Sequence, residues 1–276
     1  MPPEVKTIFF DIGNTLLFPD RAWILKPLVQ RTSAPSLKQW HASERATKIK
    51  FDEIVQHGGP ADHGFWFMFY NQLLDQLGVE DSALRDSLVA ATRISANWSD
   101  MRPGTRESLE RIGQRYPLAV ISNADGKLAA VLERCGIADC FASVTDSGVV
   151  GCEKPDAAIF EAALRSMNAE PEQSLYVGDV YSVDYLGATR VGMQAMLFDV
   201  AGAYRGNGLP RVESLEELEA TLLSQSQDNQ NVPFTVKSPD GPGSRRGWCR
   251  KDGAVSLSHS VRENTSPPSR VPARFC

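Results

Sequence analysis

Residues 5–16 read VKTIFFDIGNTL, and this stretch decides the class of fold that the chain can adopt. A short, mostly apolar run leads directly to Asp11, which is followed by a turn that contains Gly13. Continuous apolar runs of this length are typical of strands buried on both faces of a sheet. The stretch therefore predicts an interior parallel strand with a carboxylate at its carboxyl end.

Four further runs repeat this arrangement of an apolar segment that ends in a polar residue. They are residues 118–121 before Ser122, residues 142–145 before Asp146, residues 175–177 before Gly178-Asp179 and residues 195–198 before Asp199. Apolar residues at helical spacing occupy the intervals between the runs. This alternation predicts an α/β fold with a Rossmann-like three-layer core, in which a parallel sheet lies between helices. Ligands of such sheets bind at the carboxyl ends of the strands.

Residues 18–99 interrupt the alternation of strand and helix. They contain no convincing strand, and aromatic and aliphatic residues recur at helical spacing over residues 65–77, just before Gly78. We interpret this segment as a helical cap inserted into a core that consists of residues 1–17 and 100–223. The remaining residues, 224–276, are rich in Pro, Gly and Ser and lack an apolar period, which predicts a disordered tail.

The composition excludes several classes of protein. Hydrophobic residues make up 42% of the chain and charged residues 23%, an ordinary balance. No apolar run approaches the length of a membrane span, and the N-terminus lacks a secretory signal, so we expect a cytoplasmic protein without a membrane partner. The net charge of −5 combines +4 in the tail with −9 elsewhere, and an acidic body argues against a nucleic-acid partner. The five cysteines are scattered, which argues against a disulfide framework.

The polar residues at the strand ends suit the handling of a phosphoryl group. Asp11 is placed to act as a nucleophile or a metal ligand. Ser122 and Asn123 offer a hydroxyl and backbone N–H groups to phosphoryl oxygens. Lys154 stands immediately before Pro155, which we expect in the first turn of a helix, so its cation lies near the positive end of that helix. Each residue singly has an ordinary structural explanation, but the ordered set is hard to obtain by chance.

The set resembles the motifs of the haloacid dehalogenase-like superfamily, from about residue 7 to residue 198. Phosphatases of that superfamily read D-x-D-G-T, then S/T, then K-P, then G-D-x-x-x-x-D, and the last motif here is residues 178–184, GDVYSVD. The resemblance implies that Asp11 becomes an aspartyl-phosphate, while Ser122 and Lys154 bind the phosphoryl group of a small phosphorylated substrate.

The resemblance also implies a Mg²⁺ site. Its ligands would be Asp11, Asp179 and the backbone carbonyl of Gly13, with Asp184 ordering the surroundings of the metal. Two carboxylates and a carbonyl suit a hard cation that keeps part of its water. The metal and the phosphoryl-binding lysine would both neutralise charge on the transferring group.

The chain departs from the phosphatase pattern at Gly13, where those enzymes carry a second Asp as general acid and base, and at Asn14, where they carry glycine. Glycine cannot transfer a proton, and the loss of such a group typically lowers the rate by about 10²–10⁴-fold. The metal-binding carbonyl does not depend on the side chain. We therefore expect a phosphatase or phosphotransferase of reduced efficiency.

Two alternatives stay open at this point. One is a catalytically weak protein that binds a phosphorylated ligand or acts as a scaffold. The other is dehalogenase or phosphonatase chemistry, which also lacks the second Asp, although Asp179 favours a metal and metal-free dehalogenases normally carry Ser in that motif. Phosphonatases use a cap lysine; the cap lysines here, none in a recognisable motif, are Lys26, Lys38, Lys48 and Lys50. The histidines that could replace the missing acid are His41, His57 and His63.

Overall fold

A computed structural model describes residues 4–59 and 64–230 of the chain. The strands of this part are β1 (Thr7–Phe10), β2 (Leu17–Pro19), β3 (Trp98–Met101), β4 (Leu118–Ser122), β5 (Ser143–Asp146), β6 (Ser174–Gly178), β7 (Gln194–Phe198) and β8 (Arg211–Val212). Six of them form a parallel sheet in the order β5-β4-β1-β6-β7-β8. The apolar stretch that ends at Asp11 thus forms an interior strand, as predicted.

Helices cover both faces of the sheet. The core helices are α6 (Thr105–Gly113), α7 (Leu128–Arg134), α8 (Ser147–Val150), α9 (Ala157–Met167), α10 (Leu186–Arg190) and α11 (Leu215–Gln230). Alternate residues of a strand point to opposite faces, so Ile8 and Phe10 pack with α6, α7 and α11, whereas Phe9 packs with α9 and α10. The predicted three-layer α/β core is confirmed.

The helices α1 (Arg21–Ile24), α2 (Lys26–Val29), α3 (Leu37–Gln56), α4 (Gly64–Gln76) and α5 (Ser82–Thr92) lie between β2 and β3, and we call them the cap. The cap has an apolar cluster of its own, in which Trp40, Phe69, Tyr70 and Leu88 are buried. A Ser36–Gln39 capping box begins the long helix α3, because the two side chains satisfy N–H groups at its amino end.

Two local predictions were wrong. The segment 18–99 was expected to lack strands, but its ends contribute to the antiparallel pair β2–β3, in which Phe18 faces Asp100 and Pro19 faces Trp98. These strands are too short to give a clear period in the sequence, and they become strands by pairing with each other. Pro155 was expected within the first turn of α9, yet that helix begins after Asp156, whose side chain caps it by accepting from the N–H of Ala158.

The carboxyl-terminal boundary also differs. Helix α11 continues to Gln230, beyond the expected end of the core at residue 223, because Leu215, Leu218 and Leu222 anchor it in the main apolar cluster. The rest of the predicted tail, residues 231–276, lies outside the described residues. No helix in the described part of the chain combines the length and apolar composition that crossing a bilayer requires.

Candidate active site

The strand order brings the predicted residues together at one edge of the sheet. Strand β1 lies between β4 and β6, and all three run in the same direction. Asp11 directly follows β1, Ser122 is the last residue of β4, and Asp179 directly follows β6. Because the carboxyl ends of neighbouring parallel strands are adjacent, the three side chains converge, and each is almost completely buried.

Asp11 is held at one oxygen and available at the other. Its Oδ1 accepts a hydrogen bond from the hydroxyl of Ser122 at 2.9 Å and one from the ammonium of Lys154 at 2.7 Å. No described residue donates to Oδ2. A carboxylate that is fixed through one oxygen while the other lies at a cavity is suited to nucleophilic attack.

Lys154 connects the two ends of the site. Its Nζ also donates to Oδ1 of Asp184 and to the hydroxyl of Tyr176, each at 2.8 Å, and only 3% of its side chain is exposed. Burial lowers the pKa of this ammonium, but the charges of Asp11 and Asp184 outweigh burial and raise it above its ordinary value. The group stays protonated and can neutralise a phosphoryl oxygen.

Asp184 positions its neighbours. Its Oδ1 accepts from Lys154 and from Tyr176, while its Oδ2 accepts from the backbone N–H groups of Asp179 at 3.1 Å and Val180 at 2.9 Å. Four donors therefore occupy both oxygens of this carboxylate. The arrangement fits a residue that orients the surroundings of a metal better than one that ligates the metal directly.

Asn123 lines the cavity, and its side chain binds the backbone of Lys154. Its amide nitrogen donates to the carbonyl of Lys154 at 3.0 Å, and its amide oxygen accepts from the N–H of Lys154 at 2.8 Å. Both polar atoms are thus used to fix the backbone of the lysine. The side chain positions Lys154, which leaves Ser122 as the member of this pair whose side chain contacts Asp11.

The turn after Asp11 explains the unusual residue at position 14. Asn14 has a φ of 54°, in the left-handed region that glycine adopts without strain and that asparagine tolerates better than most residues. Gly13 does not have a left-handed conformation. A β-carbon at position 13 would lie 3.3 Å from Cζ3 of Trp98. The indole ring thus occupies part of the space that a second aspartate would need.

The structure places Lys48, which the sequence offered only as one of four cap lysines, at the same carboxylates. This residue of helix α3 is completely buried, and its Nζ lies 2.9 Å from Oδ2 of Asp179 and 2.9 Å from Oε1 of Glu44. Residues 44, 48 and 52 form a polar stripe at four-residue spacing, which in a sequence looks like a solvated helix face. Only the docking of the cap on the core reveals its function.

Helix α3 is also bound to the core at two further points. Asp52 accepts from the N–H of Ser182 at 2.9 Å and from the hydroxyl of Tyr204 at 2.8 Å. Arg45 donates to the carbonyl of Ala201 at 2.9 Å. The polar side of α3 therefore forms the contact between the cap and the edge of the core that carries the site carboxylates.

The donor set fits a divalent cation. Carboxylate oxygens of Asp11, Asp179 and Asp184 lie within 4.8 Å of one another. With Glu44, four carboxylates face the two ammonium groups of the site, a formal excess of two negative charges. Burial raises the pKa of Asp179 to about 7, with further increases from the charges of Asp184 and Asp11, although Lys48 opposes them. A hard dication would relieve this excess, and Mg²⁺ takes such oxygen ligands.

A cavity of about 380 Å³ opens beside these residues. Its polar part is formed by Asp11, Ser122, Lys154 and Asp179, and its lining also includes aromatic side chains from the cap and β3. His41 and His57 are not among the lining residues, and His63 lies outside the described part of the chain. Neither described histidine is therefore placed to replace the acid that Gly13 lacks.

Comparison with known proteins identifies the family. The haloacid dehalogenase-like hydrolase family matches residues 5–192. This match covers well over half of the chain, and the order of strands and site residues described above agrees with it. The chain belongs to the haloacid dehalogenase-like hydrolase family and is a hydrolase, as its motifs predicted.

Two curated relatives illustrate the similarity. The chain is 34% identical over 201 residues to a glyceraldehyde 3-phosphate phosphatase of Methanothermobacter thermautotrophicus, a match that covers 70% of this chain and 85% of the relative. It is 32% identical over 169 residues to haloacid dehalogenase-like hydrolase domain-containing protein 3 of Bos taurus. That match covers 58% of this chain and 66% of the relative, slightly less than two thirds.

Solved structures show the same fold. The HAD-hydrolase YfnB from Bacillus subtilis, bound to magnesium, gives a TM-score of 0.60 at 18% identity and covers 80% of this chain and 99% of that one. The L-2-haloacid dehalogenase RSc1362 gives a TM-score of 0.54 at 18% identity and covers 80% and 100%. At these identities the likeness establishes the α/β architecture alone.

Proposed function

We propose that this chain is a Mg²⁺-dependent phosphatase that hydrolyses a small phosphorylated metabolite through an aspartyl-phosphate at Asp11. The observation that carries the proposal is the state of this carboxylate, which Ser122 and Lys154 fix at Oδ1 while Oδ2 stays available. The similarity to glyceraldehyde 3-phosphate phosphatase supports phosphate monoesters as the substrate class.

Each step of this reaction depends on particular residues of the chain. Oδ2 of Asp11 attacks phosphorus, and the bond to the leaving oxygen breaks. The ammonium of Lys154 and the hydroxyl of Ser122 then bind the equatorial phosphoryl oxygens, while Asp184 and Tyr176 keep the ammonium in place. Bound at Asp11 and Asp179, with the carbonyl of Gly13, Mg²⁺ would supply positive charge to the transferring group. Water finally attacks the aspartyl-phosphate and releases inorganic phosphate.

The test is a panel of phosphate monoesters assayed for phosphate release with Mg²⁺ and with EDTA. We expect release that requires the metal and that disappears in the Asp11→Asn variant, because the amide is not a nucleophile. The phosphorylated intermediate should be trapped on wild-type protein by acid quench and mapped to Asp11. Halide release from 2-haloacids in the presence of EDTA would instead establish metal-free dehalogenase chemistry.

A second candidate is a protein that binds a phosphorylated ligand without turnover. The specific observation in its favour is Gly13, which provides no proton to a leaving group and no base to the attacking water. Such a protein would bind inorganic phosphate with Mg²⁺ in calorimetry, yet it would release no phosphate from any ester and would form no phosphoenzyme.

A further inference from the structure

Part of the cavity wall is aromatic. Phe51 of α3, Phe65 and Trp66 of α4, and Trp98 of β3 all line it. Their rings form a continuous edge-to-face series, with centroid separations of 5.6 Å for Phe51–Phe65, 5.2 Å for Phe65–Trp66 and 5.5 Å for Trp66–Trp98. A series of this kind offers faces and edges on which another planar ring can pack.

Trp98 is fixed in this wall and directed toward the nucleophile. Its indole nitrogen donates to the carbonyl of Thr92 at 2.7 Å, which sets the orientation of the ring. The far edge of the ring lies beside Gly13, two residues after Asp11, where a β-carbon would be 3.3 Å from Cζ3 and 3.5 Å from Cη2. The space beside Gly13, where the phosphatases of the family carry their second aspartate, is therefore apolar and aromatic.

Asp125 is a carboxylate of the same cavity that is used in another way. Its Oδ2 accepts from the N–H of Ser95 and its Oδ1 accepts from the N–H of Lys127, each at 3.3 Å. Both carboxylate oxygens are thus engaged by backbone N–H donors. Position 13, where the phosphatases of the family carry their acid, supplies no proton to a leaving group.

We infer that the substrate is an aryl phosphate, a phosphate monoester of an aromatic hydroxyl, whose ring packs against Trp98 and Trp66 while its phosphoryl group lies at Asp11. The inference rests on the proposed phosphatase function and names its substrate class. Two separate features converge on it, namely the aromatic wall and the absence of an acid at Gly13.

The chemistry explains why the leaving group must be aromatic. When Asp11 attacks phosphorus, the electron pair of the breaking P–O bond stays on the leaving oxygen. A phenol has a pKa of about 10, so a phenolate departs unassisted and takes a proton from solvent afterwards. An aliphatic alcohol is roughly as weak an acid as water, near 15.7, so its alkoxide needs a proton during the step. Hydrolysis of the aspartyl-phosphate then restores the carboxylate.

Three substrates separate the two features. Phenyl phosphate has both an aromatic ring and a good leaving group, benzyl phosphate has the ring on an alkyl oxygen, and ethyl phosphate has neither. With Mg²⁺ and the full chain, we expect kcat for phenyl phosphate to exceed kcat for benzyl phosphate by about 10²-fold or more, as for the loss of a general acid. Benzyl phosphate should in turn inhibit phenyl phosphate turnover more strongly than ethyl phosphate does.

The Trp98→Leu variant tests the ring contact. We expect it to raise KM for phenyl phosphate about tenfold, since aromatic pairs contribute roughly that much, and to leave the affinity for inorganic phosphate unchanged. The Trp23→Leu variant is the control, because that tryptophan is 60% exposed on α1 and lies outside the cavity. Unchanged phosphate affinity also shows that Trp98→Leu protein is folded.

The outcomes distinguish this inference from the proposed function. Equal kcat values for ethyl and phenyl phosphate would overturn the inference of an aryl substrate and would still agree with the proposed phosphatase function. Fast hydrolysis of benzyl phosphate that is lost in the Asp125→Asn variant would also overturn the aryl substrate. Asp125 would then be the group that donates a proton to the leaving oxygen. Absence of phosphate release from all three esters, together with absence of a phosphoenzyme, would instead overturn the phosphatase.

Discussion

The core and the cap each place one buried lysine against the same group of carboxylates, and the two lysines differ in origin and in what they hold. Lys154 belongs to the loop before α9 and bridges Asp11 and Asp184 in the core. Lys48 belongs to the middle of the cap helix α3 and contacts Asp179. The exposed fractions of the two side chains are only 3% and 0%.

On the proposed function, this difference separates a lysine that binds the phosphoryl group from a lysine that a metal ion would displace. Lys154 is held by Tyr176 and by two carboxylates, so it stays where a phosphoryl group would lie. Lys48 contacts Oδ2 of Asp179, an oxygen that a metal would also need. On the proposed function, the core lysine would cooperate with a bound cation, whereas the cap lysine would compete with it for one carboxylate.

The largest effect is expected for the core lysine. The Lys154→Met variant should lose activity by on the order of 10³-fold, because it lacks the cation that neutralises the transferring group. Its free energy of unfolding should fall by about 3–5 kcal/mol, since Asp11 and Asp184 are left buried without their counter-ion. Activity assays and urea denaturation measure the two quantities. Lys127→Met, a substitution at an exposed lysine, should change neither.

Near-normal activity of folded Lys154→Met protein would contradict this interpretation of the core. It would mean that Lys48 or the metal alone neutralises the phosphoryl group. Lys154 would then not be the lysine on which phosphoryl transfer depends.

The second prediction concerns Gly13 of the core and Trp98 at the base of the cap. The Gly13→Asp variant alone should gain little activity toward alkyl phosphates, because its side chain meets the indole ring at 3.3 Å. The Gly13→Asp/Trp98→Ala double variant removes that contact and should hydrolyse benzyl phosphate on the order of 10²-fold faster than Gly13→Asp does. Single-variant Trp98→Ala is the control, since it opens the space without supplying an acid.

Equal rates for the single Gly13→Asp and the double variant would show that the indole does not limit an acid at this position. Thermal melting of both proteins should accompany the kinetics. A backbone effect at Gly13 itself is not expected, because its φ is not in the left-handed region.

The core side of the site was predictable from the sequence, and the cap side was not. A buried parallel strand is visible in the sequence as an apolar run. The topology of the sheet then places the residue after the strand at the ligand-binding edge. This is why Asp11, Ser122 and Asp179 were found. The expected contact of the Asn123 backbone N–H with a phosphoryl group stays a prediction, and no local sequence pattern shows that the side-chain amide binds the backbone of Lys154.

Lys48 and Trp98 depend on contacts between distant parts of the chain. The stripe of Glu44, Lys48 and Asp52 has the spacing of an exposed helix face, and its burial results from docking against residues such as Tyr204. Strand β3 is four residues long and pairs with β2, so the position of Trp98 against Gly13 follows from the return of the chain to the core.

The third prediction tests the competition for Asp179. The Lys48→Met variant should bind Mg²⁺ about tenfold more tightly in calorimetry, because the cation no longer displaces an ammonium and the site has one more uncompensated negative charge. Without metal the variant should be less stable than wild type, since Asp179 and Glu44 lose their counter-ion. Mg²⁺ should therefore raise its melting temperature more than it raises that of wild type.

The matched control is Lys50→Met, which removes a lysine from the same helix. The Lys50 side chain is 66% exposed and forms an ion pair with Glu53 at 3.5 Å, so neither metal affinity nor melting temperature should change. Weaker Mg²⁺ binding by Lys48→Met would show that the cap lysine supports the metal site and does not compete with it.

The smallest effect is expected for the dependence of stability on pH. This dependence reports on Asp179, the carboxylate that the cap lysine contacts. Burial raises the pKa of Asp179 to about 7 in the folded protein, so the folded chain binds this proton more tightly than the unfolded chain does. The stabilisation that results is present at low pH and is lost as the pH rises through about 7. In EDTA, the contribution of Asp179 to the free energy of unfolding should therefore decrease as the pH rises from about 4 to about 8. Burial lowers the pKa of His41, which acts in the opposite direction, so the Asp179→Asn variant is needed as the reference.

The difference in the free energy of unfolding between wild type and Asp179→Asn should shrink as the pH falls. Mg²⁺ should bind wild type more tightly as the pH rises, because the cation requires the ionised carboxylate. Parallel pH profiles of wild type and Asp179→Asn in EDTA would show that Lys48 keeps Asp179 ionised throughout the range.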